Sequence, residues 1–191
     1  TCALPISEQT VFKVTYDESA VYFAIACLDS DPDKMVGNLS RRDRDSRSDY
    51  VSIYIDPYHD KTTGYNFRVN LLGVQRDAYL SDDSSAEDFD WDAVWDAETY
   101  RDAQGWYTEV RIPLSSIRYR PEAPAWGLQI HRFLHDRGED TAWAVWDREQ
   151  PGFISRFGSL HGIENVPAPR QLEIYPYAVA SYTDPAAQGS E

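Results

Sequence analysis

Cysteine is nearly absent: the 191-residue chain has only Cys2 and Cys27. One pair cannot build a disulfide framework, and no CxxC or Cys/His cluster offers a metal site. Cys27 sits inside the apolar run 21–27, the setting of a small buried hydrophobe. Long hydrophobic stretches are missing too. No run approaches the roughly 20 apolar residues of a membrane-spanning helix, and no signal peptide is visible. Basic residues are scarce, 18 Lys and Arg against 32 Asp and Glu, for a net charge of −14. So acidic a surface repels phosphate backbones and anionic lipid, which argues against nucleic acid as a partner. Neutral ligands, basic partners and divalent cations stay open, and acidity is also a plain route to solubility. Catalytic signatures are lacking: there is no GxSxG elbow and no phosphate loop. His59, His131, His135 and His161 are scattered, outside any HExxH pattern. Asp56 and Glu109 are of the type a glycosidase pairs, but among 32 acidic residues some pair always lies near, so this pair does not decide whether the domain is an enzyme, and a glycoside hydrolase as parent or partner stays open.

Aromatic residues, by contrast, are plentiful, with 6 Trp and 13 Tyr. Their flat apolar faces and polar tips suit both sandwich cores and ligand platforms. Short alternating runs separated by turn residues dominate the chain, the pattern of an antiparallel two-sheet β-sandwich. Strands are expected at 11–16 and 21–28, joined at Asp17-Glu18-Ser19, and at 50–56 with Val51, Ile53 and Ile55 on one face. Segment 65–70 should turn Tyr65, Phe67 and Val69 inward and Asn66, Arg68 and Asn70 outward. Further strands are expected at 74–80, 94–101, 106–112, 126–133 and 141–146. Two short helical turns, at 31–36 and 114–117, each follow a proline suited to a first turn.

Three segments gather functional groups at turns: 40–49, with alternating charges; 56–65, with Tyr58; and 91–96, with Trp91 and Trp95 after the acidic loop 81–92. The order and spacing of Asp49-Tyr50-Val51, Ile55-Asp56-Pro57-Tyr58-His59-Asp60, Thr63-Gly64-Tyr65, Val69-Asn70 and Gly73-Val74-Gln75-Arg76-Asp77 resemble family 9 carbohydrate-binding domains. Trp91-Asp92-Ala93-Val94-Trp95, the stretch from Gly105 to Pro113 and Arg156-Phe157-Gly158 continue the resemblance, which spans about residues 8–163. It implies a jelly-roll or immunoglobulin-like sandwich that binds oligo- or polysaccharide, without catalysis, as part of an exported bacterial protein of polysaccharide breakdown. The subgroup it looks most like carries an outer-membrane β-barrel-like region after this domain, which implies a place in the periplasm, outer membrane or cell surface. The alternative within that subgroup is a structural or interaction domain of the barrel that binds no sugar.

A pyranose offers an apolar C–H face and a fringe of hydroxyls, so aromatic rings and polar donors and acceptors hold it. Trp91, Trp95, Tyr58, Asn66, Arg68, Asn70 and Gln75 are the candidate ligand-binding residues on that ground, with Trp91 and Trp95 expected to border the site; for Trp95 a core position is equally open. The 41–49 segment is either a self-paired solvated loop or a source of hydrogen bonds to sugar. In the acidic loop, Asp82, Asp83, Asp88 and Asp90, with Glu87 and Asp92, offer hard oxygen ligands for a structural calcium, although the glycine and terminal glutamate of an EF-hand are not there. Residues 1–6 resemble a translated sequencing adapter, so that a sandwich truncated at its N-terminus is expected over 7–166 in a metagenomic fragment. Residues 167–191 read as a linker and the start of a following region, with a further alternating run at 172–182.

Overall fold

Two antiparallel sheets face each other across one apolar core in the computed structural model, which describes residues 8–146, 149–164 and 166. The adapter-like start, the 167–191 linker and the 172–182 run lie outside the described residues. In chain order the strands are β1 (Thr10–Tyr16), β2 (Ala20–Leu28), β3 (Tyr50–Asp56), β4 (Gly64–Asn70), β5 (Gln75–Leu80) and β6 (Glu87–Asp88). They continue as β7 (Asp96–Asp102), β8 (Gly105–Pro113), β9 (Trp126–Leu134), β10 (Glu139–Ala142) and β11 (Gly158–Leu160). The smaller sheet runs β1-β2-β8-β7; the larger runs β10-β9-β3-β4-β5-β6, with β11 also on β9. Both expected helical turns form, as 3-10 turns Pro32–Lys34 and Leu114–Ser116, and a third spans Ile154–Arg156.

Turn chemistry sets the registers. Asp17 Oδ1 accepts from the backbone N–H groups of Ser19 (2.7 Å) and Ala20 (2.9 Å), closing the β1–β2 hairpin. Gly105 opens β8 at φ +145°, where a Cβ would strike the Cys27 carbonyl, so a side chain is excluded there. The hairpin after β9 closes earlier than the alternation suggests. Its turn ends at Gly138, φ +59°, so that Glu139 pairs Leu134 and β10 is over by Ala142. Trp143 and Trp146, expected inside a strand, lie beyond it instead.

The core fills from both inner faces: Val21, Phe23, Ile25, Trp106, Val110 and Ile112 meet Val51, Ile53, Ile55, Phe67, Leu128 and Ile130. Burying each such side chain stabilises the fold by about 1.5–3 kcal/mol. The larger sheet departs from simple alternation, because Ser52, Tyr54, Asn66 and Asn70 on its outer face are buried as well. Their cover is a second cluster: Tyr54 and Leu80 pack with Phe153 and Ile154, and Trp146 and Phe157 lie against them. One sheet thus has two buried faces, the inner apolar and the outer polar.

Candidate functional site

Three cross-strand rows make up that outer face. Phe133, Tyr50 and Asn70 form the first, His131, Ser52, Arg68 and Arg76 the second, and Gln129, Tyr54, Asn66 and Ala78 the third. The middle row sets Arg68 of β4 directly opposite Arg76 of β5. Like charges in that relation are destabilising, so the arrangement needs compensation, and Glu87 of β6 provides it. The Glu87 carboxylate lies 3.4 Å from Arg68 Nη2 and 3.7 Å from Arg76 Nη2. It also accepts from Asn66 Nδ2 at 2.5 Å and from the Tyr54 hydroxyl at 3.4 Å. Asp45, from the loop before β3, reaches the same two guanidinium groups from the solvent side.

Aromatic faces border the charges. The Arg68 guanidinium lies 4.3 Å from the Tyr50 ring centre and that of Arg76 lies 4.0 Å from Phe89. Tyr50 stacks on Phe133 at 5.3 Å. Farther along the sheet, the Trp146 ring stands 6.2 Å from His131 and 4.8 Å from Phe153. The Trp146 segment is tied down by Gln129, whose amide donates to the Ala144 carbonyl (2.9 Å) and accepts from the Ala144 N–H (2.8 Å). Asp83 anchors the segment's far end, accepting from the N–H groups of Phe153 (3.0 Å) and Ser155 (2.8 Å) and from the Ser155 hydroxyl (2.7 Å).

Burial disfavours the Arg68 cation, but Glu87 beside it more than offsets that and holds its pKa above the ordinary value. Burial likewise pushes the Tyr54 phenol up, so it stays a neutral donor. Two buried polar atoms on this face have no hydrogen-bond partner, Asn66 Oδ1 and Arg76 Nε.

Of the residues expected to bind ligand, Asn66 and Arg68 fall within this cluster. Asn70 borders it but is committed to the fold: its Oδ1 accepts from Leu72 and Val74 N–H (2.9 Å each) to close the β4–β5 turn. Gln75 points the other way along β5, donating to the Trp95 carbonyl at 3.2 Å and accepting from Arg42. Trp95 is a core side chain, 3% exposed, with its indole N–H on Asp77 Oδ1 at 3.0 Å. Trp91 is half-buried against Tyr65 (4.8 Å) and Phe67 (5.9 Å), both inward-facing. Tyr58 is exposed on the turn beyond β3, apart from the arginine row.

The 41–49 segment is docked on the rest of the fold more than paired with itself: Arg42 binds Asp77 (2.5 Å), Gln75 (2.9 Å) and the Ala93 carbonyl (2.6 Å). Within it, Asp45 belongs to the cluster. The acidic-loop carboxylates do separate work. Asp83 clamps the 153–155 turn, Asp82 accepts from the Ser81 hydroxyl and Asp88 from the Asp90 N–H. Among the described residues, the trio able to converge on one ion is Asp43, Asp77 and Asp92, and Arg42 already pairs with all three. Glu87, Arg76, Tyr50, Ser52 and Trp146 were not singled out as ligand-binding residues from the sequence. The signal available for Trp146 was its place in a Trp- and turn-rich stretch between two strands.

The comparisons with known proteins agree with this architecture. A family model described as "Carbohydrate family 9 binding domain-like" matches residues 6–160. A chain from Bacteroides uniformis ATCC 8492 superimposes with a TM-score of 0.62 at 13% identity, over 82% of this chain and 79% of that one. A family 9 carbohydrate-binding module from Caldicellulosiruptor kristjanssonii in complex with cellotriose gives 0.59 at 17% identity, over 93% and 84%. The same module in complex with glucose gives 0.59 at 18%, over 91% and 84%. At these identities the likeness establishes a shared fold. No curated protein matches the chain.

Proposed function

Because this chain belongs to the carbohydrate family 9 binding domain-like family, we propose that it is a non-catalytic module holding a saccharide on the outer face of its seven-stranded sheet. The observation that carries this reading is the opposed pair Arg68 and Arg76, bridged by Glu87. Stability alone does not call for two arginines face to face on a half-covered sheet, and placements that break a local rule concentrate at functional sites. Guanidinium, carboxylate and amide groups match vicinal sugar hydroxyls, while Phe89 and Trp146 offer rings for the C–H face. Solved relatives bound to cellotriose and glucose support a glucose-type ligand. The proposed setting is an exported bacterial protein of polysaccharide breakdown, with an outer-membrane barrel region in the same chain.

Isothermal titration calorimetry of the folded domain with glucose and cellotriose tests the proposal. Binding in the micromolar to millimolar range is expected, abolished by Arg68→Met and by Arg76→Met in variants whose circular dichroism is unchanged. A glycan array on which nothing binds would turn the assignment toward an interaction domain of the barrel. Binding that survives both arginine substitutions would move the site elsewhere.

A further inference from the structure

Charge bookkeeping within the arginine row points to a narrower ligand class. Arg68 and Arg76 bring two positive charges to one patch, with side chains only 16% and 13% exposed. Glu87 neutralises one of them from within the sheet, itself 13% exposed. The other is met by Asp45, whose side chain is 76% exposed and which comes from a loop, not a strand. Its carboxylate lies 3.6 Å from Arg68 Nη1 and bonds Arg76 Nη1 as well. The pocket at this point is lined by Arg44, Asp45, Ser46, Tyr50, Arg68 and Arg76 among others, and encloses about 20 Å³. That is room for about one water. Asp45 therefore occupies the place where a ligand group would have to enter.

Resting on the saccharide reading above, we infer that the site takes an acidic saccharide, with a hexuronate carboxylate replacing that of Asp45 on Arg68 and Arg76. Three features favour the exchange. Asp45 keeps most of its hydration in place, so releasing it to solvent costs little. The two guanidinium groups keep the same net charge before and after. A carboxylate fixed to a sugar ring adds ring contacts with Phe89 that Asp45 cannot make, and guanidinium forks bind carboxylate geometry well. Arg44 at the pocket lip adds a further positive group. In a chain of net charge −14 this is a locally cationic spot, and it becomes fully so only when Asp45 swings away. Asp45 thus acts as an internal competitor that tunes affinity.

The test compares glucuronate and trigalacturonate with glucose and cellotriose by calorimetry, in wild type, Asp45→Ala and Arg76→Met. Uronates are expected to bind about tenfold tighter than their neutral counterparts at low ionic strength, with the advantage shrinking in salt. Asp45→Ala is expected to widen the uronate-to-neutral ratio several-fold, and in Arg76→Met neither class should bind. Neutral sugars binding as tightly as uronates, in wild type and Asp45→Ala alike, would overturn the inference while leaving saccharide binding intact. Glucose 6-sulfate outcompeting glucuronate would overturn the carboxylate assignment. No binding of any of these sugars, in wild type or in Asp45→Ala, would remove the saccharide reading itself.

Discussion

Asp77 on β5 is a place where removing one polar side chain should destabilise the fold while sparing the arginines of the proposed site. Its carboxylate is 1% exposed and lies on the inner side of the strand. Oδ2 accepts from the Ala93 N–H at 2.7 Å, and Oδ1 accepts from the Trp95 indole at 3.0 Å and from Arg42 at 2.5 Å. Asp77→Ala leaves two buried donors, on Ala93 and Trp95, without an acceptor. Each orphaned donor costs about 1–3 kcal/mol. The Arg42 side chain is 36% exposed and rehydrates, so its loss adds little. Against this, burial holds the Asp77 carboxyl above its ordinary pKa despite Trp95, Ala93 and Arg42, and removing the charge returns part of that desolvation. The net expectation is a loss of about 2–4 kcal/mol. Urea unfolding followed by tryptophan fluorescence measures it as a lowered midpoint at unchanged slope. In a Trp95→Phe background one orphan donor is already gone, so the Asp77→Ala penalty should fall by about 1 kcal/mol. Saccharide binding by the folded variant should persist, since Arg68 and Arg76 are on the opposite face of β5. A penalty below about 1 kcal/mol, or equal penalties in the two backgrounds, would refute the hydrogen-bond accounting.

Further outcomes follow from the same geometry. Burial raises the pKa of Asp49, whose Oδ1 accepts from His135 N–H at 2.8 Å while Oδ2 has no partner. A raised folded-state pKa gives stability that is present at low pH and lost as pH rises through it; the stability of Asp49→Asn relative to wild type should therefore increase above about pH 4, and a pH-independent difference in urea titrations would contradict this. Trp91→Ala should lower stability by about 2–3 kcal/mol through lost contact with Tyr65 and Phe67 and leave sugar affinity within twofold; a selective loss of binding would bring Trp91 back to the site. Asp83 already accepts three hydrogen bonds from Phe153 and Ser155, so chelator should leave the Tm unchanged. A fall of several degrees, restored by calcium, would instead support an ion at Asp82, Asp83, Asp88 and Asp90. Asp83→Ala should loosen the 153–155 turn and weaken sugar binding through the Trp146 wall, read as a lower calorimetric affinity at unchanged stoichiometry.

Much of the architecture was legible along the chain, because a period of two with Asp, Gly and Asn turns reports strands wherever one face is apolar. Val21-Phe23-Ile25, Val51-Ile53-Ile55 and Trp106-Val110-Ile112 all face inward as their alternation indicates. The site was legible only in part. Asn66 and Arg68 follow from being polar on a strand whose other face is apolar. Trp91 and Trp95 have the same local signature whether they roof a ligand or pack a core, and it is Asp77, 18 residues from Trp95, that draws the indole inside.

Local sequence thus determined the strands, most of the turns, the inward faces and the acidic surface, since each depends on neighbours a few positions apart. Tertiary structure decided what covers the second face of the large sheet. The β4–β5 register that opposes Arg68 to Arg76, the return of Glu87 between them and the folding of Trp146 and Phe153 over Tyr54 join residues far apart in the chain. Such contacts form only once loops close around a packed core, and no periodicity in the chain encodes them.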